Sequence, residues 1–202
     1  VSGEGVVVID PGSSVQVGEM LLAHIEKVTD KPILAVFNSH IHGDHWLGNQ
    51  AIRARYPEVP IYGHDRVGPK VLAGAGTEWV QLMLRLTENA TLGTDIVAPD
   101  HPVKDGDLMR VGGLTYRVMN NDKAHTDTDI MLHLKELDVM FLGDNAGHGR
   151  ILRLEGGSFP GNITALENAL ASGATVFVPG HGPSGGSEVA TRYRDYLQTL
   201  YE

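Results

Sequence analysis

The segment His40-Ile41-His42-Gly43-Asp44-His45 sets four potential metal-binding groups within six residues, directly after the apolar run Ile33 to Phe37. Side chains two apart on extended backbone point the same way, so His40, His42 and Asp44 are expected to share a direction where the strand runs into its loop. Trp46 to Tyr56 reads as a helix, so His45 should leave from a helix start. A divalent ion needs three or four such groups at about 2.0 to 2.3 Å, and imidazole with carboxylate suits zinc, with iron or manganese as alternatives. Two histidines and an aspartate cannot all serve one ion comfortably from so short a loop, which points to two ions sharing it. The competing reading of any one of these histidines is a polar surface loop. Four ligand groups in one loop make that reading the weaker one.

The bulk properties bound the rest. At 202 residues the chain fits one domain, 1–202, able to bury about 70% of its unfolded surface. Asp and Glu number 25 against 16 Lys and Arg, a net charge of -9 that disfavours nucleic acid as a partner. There is no cysteine, so disulfides and thiolate ligands are excluded, while the compartment stays open between cytoplasm and periplasm. No stretch approaches the roughly 18 to 20 apolar residues of a membrane span, so no membrane partner is expected. The chain starts at Val1 rather than Met, which suggests an upstream segment. The oligomeric state is not written in the composition.

Elements able to position the ligands follow from apolar periodicity. Gly5 to Ile9 reads as a buried strand ending at Asp10-Pro11-Gly12, and Val17 to Val28 as a helix. Ile33 to Phe37 and Val59 to Tyr62 are further strands, with His64 after the second a weaker ligand candidate. Arg66 to Thr94 reads as mostly helical, broken at Gly74-Ala75-Gly76, with Trp79, Leu82, Met83 and Leu86 on a core-facing stripe. Gly93 to Pro102 reads as an irregular connection. Short strands are then predicted at Pro102–Val103, Leu108–Val111, Leu114–Asn120, Asp129–Leu134 and Val139–Leu142. Helices at Asn162–Ser172 and Glu188–Tyr201 flank a strand at Thr175–Val178. His24, His101 and His133 lack metal-like surroundings and are assigned structural roles. The order is α/β, then β-rich, then α/β.

A second half of the site should come from other strand ends, where loops are free to converge. Three positions answer: His125 in Ala-His-Thr-Asp before a strand, Asp144 in Leu-Gly-Asp-Asn after one, and His181 in Pro-Gly-His-Gly after another.

With these motifs in order, the chain resembles the metallo-β-lactamase superfamily, from Val6-Val7-Val8-Ile9-Asp10-Pro11-Gly12 to Pro179-Gly180-His181-Gly182. The resemblance implies a four-layer αββα sandwich with a dinuclear metal site, here lacking the usual first N-terminal strands. It implies that His40, His42 and His125 hold one metal, that Asp44, His45 and His181 hold the second, and that Asp144 bridges them. Asp10 would steady the motif loop. The segment after His125 departs from the family pattern, with Asp127-Thr128 in place of a frequent Pro-Gly pair.

Two divalent ions, most simply zinc, roughly 3.5 to 4 Å apart can share a hydroxide that exists at neutral pH, and can polarise a substrate carbonyl. Asp44 is placed to orient or accept that hydroxide's proton, so it is the catalytic candidate. An aspartate at position 144 resembles the glyoxalase II-like thioesterases and lactonases rather than the cysteine-bearing β-lactamases. The expected reaction is therefore hydrolysis of a small-molecule thioester, lactone or related ester. Activity on β-lactams is the alternative, and an iron-dependent oxidoreductase relative a more distant one. Contacts to the substrate are expected from Arg66–Leu92 and from Asn145–Pro160, including His148 and Arg150.

Overall fold

The computed structural model describes residues 1–202, and the chain divides into two compact units. The first comprises Val1–Val103 and Val111–Gly113; the second comprises Lys104–Arg110 and Leu114–Glu202.

In the first unit β1 (Val6–Ile9), β2 (Ile33–Asn38), β3 (Ile61–His64) and β4 (His101–Val103) form a parallel sheet in that order. Parallel neighbours need crossovers, and here these carry α1 (Val15–Glu26), α2 (Asn49–Arg55), α3 (Val67–Lys70) and α4 (Gly76–Leu86). The β-branched and aromatic runs Val-Val-Val-Ile and Ile-Leu-Ala-Val-Phe suit a sheet covered by helices. Val6, Val8, Leu22, Ile33, Val36, Ile52 and Ile61 accordingly form one buried cluster. Ser14 caps α1 by accepting from the Val17 amide at 3.2 Å. Gly18 lies so close to the Gly48 carbonyl and Ala51 that a Cβ would collide, which sets the approach of α1 to α2.

The second sheet, which apart from Val111 belongs to the second unit, has the order β5 (Leu108–Val111), β6 (Leu114–Met119), β7 (Met131–Leu134), β8 (Val139–Gly147) and β9 (Val176–His181). β6, β7 and β8 run antiparallel, while β9 joins β8 in parallel after the crossover helix α5 (Phe159–Leu170). Its core gathers Met140, Leu142, Leu166 and Phe177 beneath α5 and α6 (Glu188–Tyr201). No helix is long and apolar enough to cross a membrane.

Several boundaries differ from expectation. His101–Val103 pairs with β3 in the first sheet, rather than opening the β-rich middle or belonging to an irregular connection. The Asp100 carboxylate accepts from the Ile61 amide at 3.1 Å just before β4, aligning the two strands. β8 runs on to Gly147, five residues beyond the apolar stretch: Asp144 and Asn145 are buried within it, and pairing with β9 resumes at Gly147 opposite His181. The long helical reading ends at Leu86, where Glu88 and Asn89 take left-handed conformations. The break at Gly74 is present, at φ 134° inside a π-helical turn spanning Val71–Ala75.

Candidate metal centre

The histidine-rich segment does not continue the strand. β2 ends at Asn38, residues 39–42 are irregular, and Gly43–His45 forms a 3-10 turn, with α2 starting only at Asn49. Strand alternation therefore does not aim His40, His42 and Asp44; a loop folded on buried polar anchors does. Trp46, fully buried, donates from Nε1 to the Ile41 carbonyl at 2.9 Å. Asn38 donates to the His45 carbonyl at 3.2 Å and exchanges side-chain hydrogen bonds with Asn49. Asn49 also donates to the Val97 carbonyl at 2.9 Å. The fold confines His40, His42 and His45 tightly: the His40 ring centroid lies 4.6 Å from that of His42 and 4.2 Å from that of His45.

Asp10 controls the chemistry of this loop. It stands at the end of β1 with φ 54°, a left-handed conformation unusual outside glycine. Its Oδ1 accepts from the Ser39 amide and its Oδ2 from the Ser39 hydroxyl, both at 2.7 Å, and Oδ2 lies 2.8 Å from Nδ1 of His45. With its proton given to Asp10, the Ser39 oxygen accepts from Nδ1 of His40 at 2.9 Å. One carboxylate thus sets the tautomer of two imidazoles, placing the lone pair of each on Nε2, the arrangement a metal-binding histidine needs. Asp44, about one-third exposed, holds Oδ2 3.6 Å from Nε2 of His45. Trp79 packs its ring 4.9 Å from that of His42. The stripe assigned to the core therefore covers a ligand candidate as well, while its last member Leu86 is exposed.

The second unit builds the other cluster. A bulge and a left-handed Gly143 (φ 53°) interrupt the β8–β9 ladder beside Asp144. Nε2 of His125 lies 3.6 Å from Asp144 Oδ2, and Nε2 of His181 lies 3.5 Å from the same oxygen. Gly180 has no room for a side chain, since a Cβ would collide with Asp144 Oδ1. His125 sits on a loop organised by Asp129, which accepts from the Thr126 amide at 2.7 Å and the Thr126 hydroxyl at 2.6 Å. The departure Asp127-Thr128 is accommodated here, as the Thr128 amide donates to the Thr126 oxygen at 3.0 Å. Burial pushes the Asp129 carboxyl up to about 6, against the lowering effect of the Thr126 and His125 hydrogen bonds; the Asp144 charge adds to the rise.

These separations fit ligands around an ion. Two ligand atoms bonded at about 2.0 to 2.1 Å to a tetrahedral zinc stand roughly 3.4 Å apart, beyond hydrogen-bond length and close to the 3.5 to 3.6 Å found here. The donors are imidazole nitrogens and carboxylate oxygens only, a set suited to zinc, iron or manganese.

The remaining histidines lie elsewhere. His64 ends β3 buried, 3.0 Å from Asp65 and accepting from the Arg66 amide at 3.2 Å. His24 is exposed and bonded to the Met20 carbonyl, His101 contacts Asp100, and His133 is buried in β7. Asn38, Ser39, Asn49, Trp79, Thr126 and Asp129 support the two clusters without being legible as ligands; only the proximity of Ser39 and Thr126 to the motifs signalled them.

Solved structures with this fold include a metallo-beta-lactamase from Pontibacter korlensis, at a TM-score of 0.75 and 21% identity, matching 98% of this chain and 84% of that one. Another, a metallo beta lactamase from Erythrobacter litoralis, gives 0.71 and 19%, over 99% and 83% of the two chains. The metallo-beta-lactamase superfamily model matches residues 1–181, and the chain belongs to that superfamily. Among curated relatives, a linear primary-alkylsulfatase of Pseudomonas sp. is 27% identical over 98% of this chain and 44% of its own length. An atrochrysone carboxyl ACP thioesterase of Emericella nidulans is 28% identical over 87% and 47%. A hydroxyacylglutathione hydrolase of Francisella tularensis subsp. novicida is 28% identical over 58% and 36%. The chain thus spans less than half the length of each of these relatives.

Proposed function

We propose that the two clusters serve one dinuclear centre and that the chain acts as a single catalytic domain, a metal-dependent hydrolase of a small-molecule thioester, lactone or related ester. One ion would be held by His40, His42, His125 and Asp144, and the other by Asp44, His45 and His181, with Asp144 shared. The observation that carries the reading is Asp144: one carboxylate oxygen lies at ligand–ligand distance from both His125 and His181, in a chain with no cysteine. Membership of the superfamily and the thioesterase and hydroxyacylglutathione hydrolase relatives support it.

The bound ions, most simply zinc, would supply an activated water and stabilise the negative charge that develops on the substrate carbonyl. Asp44, about one-third exposed, would orient or take the proton of the attacking water. Asp10 and Ser39 hold His40 and His45 in the ligand tautomer, and Trp79 shields the His42 ring on one side. The alkylsulfatase relative makes a sulfate ester the competing substrate, and the fold keeps β-lactams on the panel.

The test is metal content of the purified protein together with hydrolysis of a thioester, a lactone, a β-lactam and an alkyl sulfate. Two ions per chain, with turnover of the thioester or lactone that chelation removes and zinc restores, is expected. One ion and no thioester or lactone turnover would reject the proposal; turnover of the alkyl sulfate alone would move the assignment to sulfate esters.

A further inference from the structure

Beside its ligand cluster the second unit carries a cavity of about 400 Å3, within the roughly 300 to 1,000 Å3 of small-molecule sites. One wall is the turn after β8, with His148, Arg150 and Ile151; the other is α6, with Glu188, Arg192 and Tyr196 at successive i, i+4 positions of one face. The first wall is tied to the backbone of His181. The His148 amide donates to the His181 carbonyl at 2.9 Å, and His148 Nδ1 donates to the Pro183 carbonyl at 2.8 Å. Gly182, at φ 98°, packs so closely on the His148 carbonyl that a Cβ would collide, so the cavity begins one peptide from a ligand candidate. The second wall is held by Tyr193, whose hydroxyl accepts from the Leu152 amide at 3.2 Å.

The lining is amphipathic. Ile151 is 69% exposed at the rim, and the rings of Tyr193 and Tyr196 lie 5.9 Å apart. Apolar surface left open in a recess is stabilised by an apolar occupant. Two arginines also line it, Arg150 and Arg192, one from each wall, in a chain of net charge -9. Glu188 lines the same cavity, but its carboxylate accepts from the Gly186 amide at 2.8 Å. The charges of Arg192 and His148 act on the Glu188 carboxylate, so Arg192 would serve Glu188 and an entering anion together. We infer that this cavity holds the part of the substrate that is not cleaved, an apolar segment ending in a carboxylate, so that the enzyme prefers esters or thioesters bearing a second, anionic group. The inference rests on the hydrolytic reading of the neighbouring cluster.

Calorimetric titration of the zinc-loaded and chelator-stripped protein with octanoate and octan-1-ol, on wild type, R150A/R192A and R150K/R192K, tests the cavity directly. Saturable octanoate binding is expected in both metal states, stronger than octanol, about tenfold weaker in R150A/R192A and largely retained in R150K/R192K. Octanoate binding that disappears with the metal, or is unchanged in R150A/R192A, or is matched by octanol, would overturn the inference. Thioester kinetics separate it from the hydrolase reading. A KM for an ω-carboxylated acyl thioester below that of its neutral counterpart, with the gap closed in R150A/R192A, supports the inference. Equal KM values overturn it while leaving hydrolysis intact. No turnover of either thioester, with arginine-dependent octanoate binding retained, rejects the hydrolase reading and leaves an anion-binding cavity.

Discussion

Asp10 Oδ2 lies 2.8 Å from Nδ1 of His45 and 2.7 Å from the Ser39 hydroxyl, which in turn accepts from His40. A carboxylate 30 residues upstream of the histidine motif thereby fixes two of its rings. An Asp10→Asn variant presents an amide nitrogen to one of these donors and loses the charge. We predict metal affinity about 10- to 100-fold weaker, read by chelator competition. An unchanged affinity would reduce Asp10 to a turn residue.

Gly180→Ala forces a methyl group against Asp144 Oδ1. The expected outcome is a folded protein, by circular dichroism, that retains fewer than two ions per chain and loses hydrolysis. Full metal content with normal turnover in this variant would contradict the role given to Asp144.

Asp129 produces a pH signature in the metal-free protein. Its carboxyl is raised from 3.8 to about 6 by burial, so the folded state holds a proton that the unfolded chain releases earlier. The stabilisation is complete below about pH 4 and is lost as pH rises through about 6, on the order of 3 kcal/mol at most. Denaturant titrations should show this decline in wild type and its absence in Asp129→Asn. Parallel pH profiles for the two proteins would refute it.

Asp100 has the opposite sign. Burial alone would raise its carboxyl, but hydrogen bonds from His101, the Ile61 amide and Arg53, with the charge of Arg53, hold it below its ordinary value. Its contribution is present above the unfolded carboxylate range and disappears as pH falls below about 4. Because the side chain is 43% exposed, the loss in Asp100→Asn should be under about 1 kcal/mol at neutral pH. A larger loss, measured by urea denaturation, would show that strand alignment through Ile61 matters more than charge.

All seven ligand candidates stood out in the sequence because ligand chemistry admits few residue types and they recur at strand ends. What aims them was less legible. Period-two alternation failed for His40, His42 and Asp44 because the chain leaves β2 at Asn38 and turns on Trp46 and the Asn38–Asn49 pair, contacts fixed only by tertiary packing. The helix expected to run on from Arg66 to Thr94 ends at Leu86 because left-handed Glu88 and Asn89 follow, a backbone choice periodicity does not encode. α6 was legible to the residue, since its apolar positions Val189, Tyr193 and Leu197 repeat at helical spacing on a buried face. Asp129 carries no signal of its own in the sequence because its importance lies in depth of burial, not in residue type.

The contrast between the two sheets bears on the order in which the molecule folds. β6, β7 and β8 are antiparallel neighbours in sequence, so their pairing closes short loops. Each parallel pairing from β1 to β4 must instead wait for a crossover of roughly twenty residues or more, which costs more chain entropy before any contact rewards it. Pulse-labelling hydrogen exchange during refolding should therefore protect amides of Val118 and Leu132 before those of Val8 and Val36; the reverse order would refute this. On that schedule the Asp144 strand matures first, and the histidine loop behind β2 is among the last parts of the chain to become able to hold an ion.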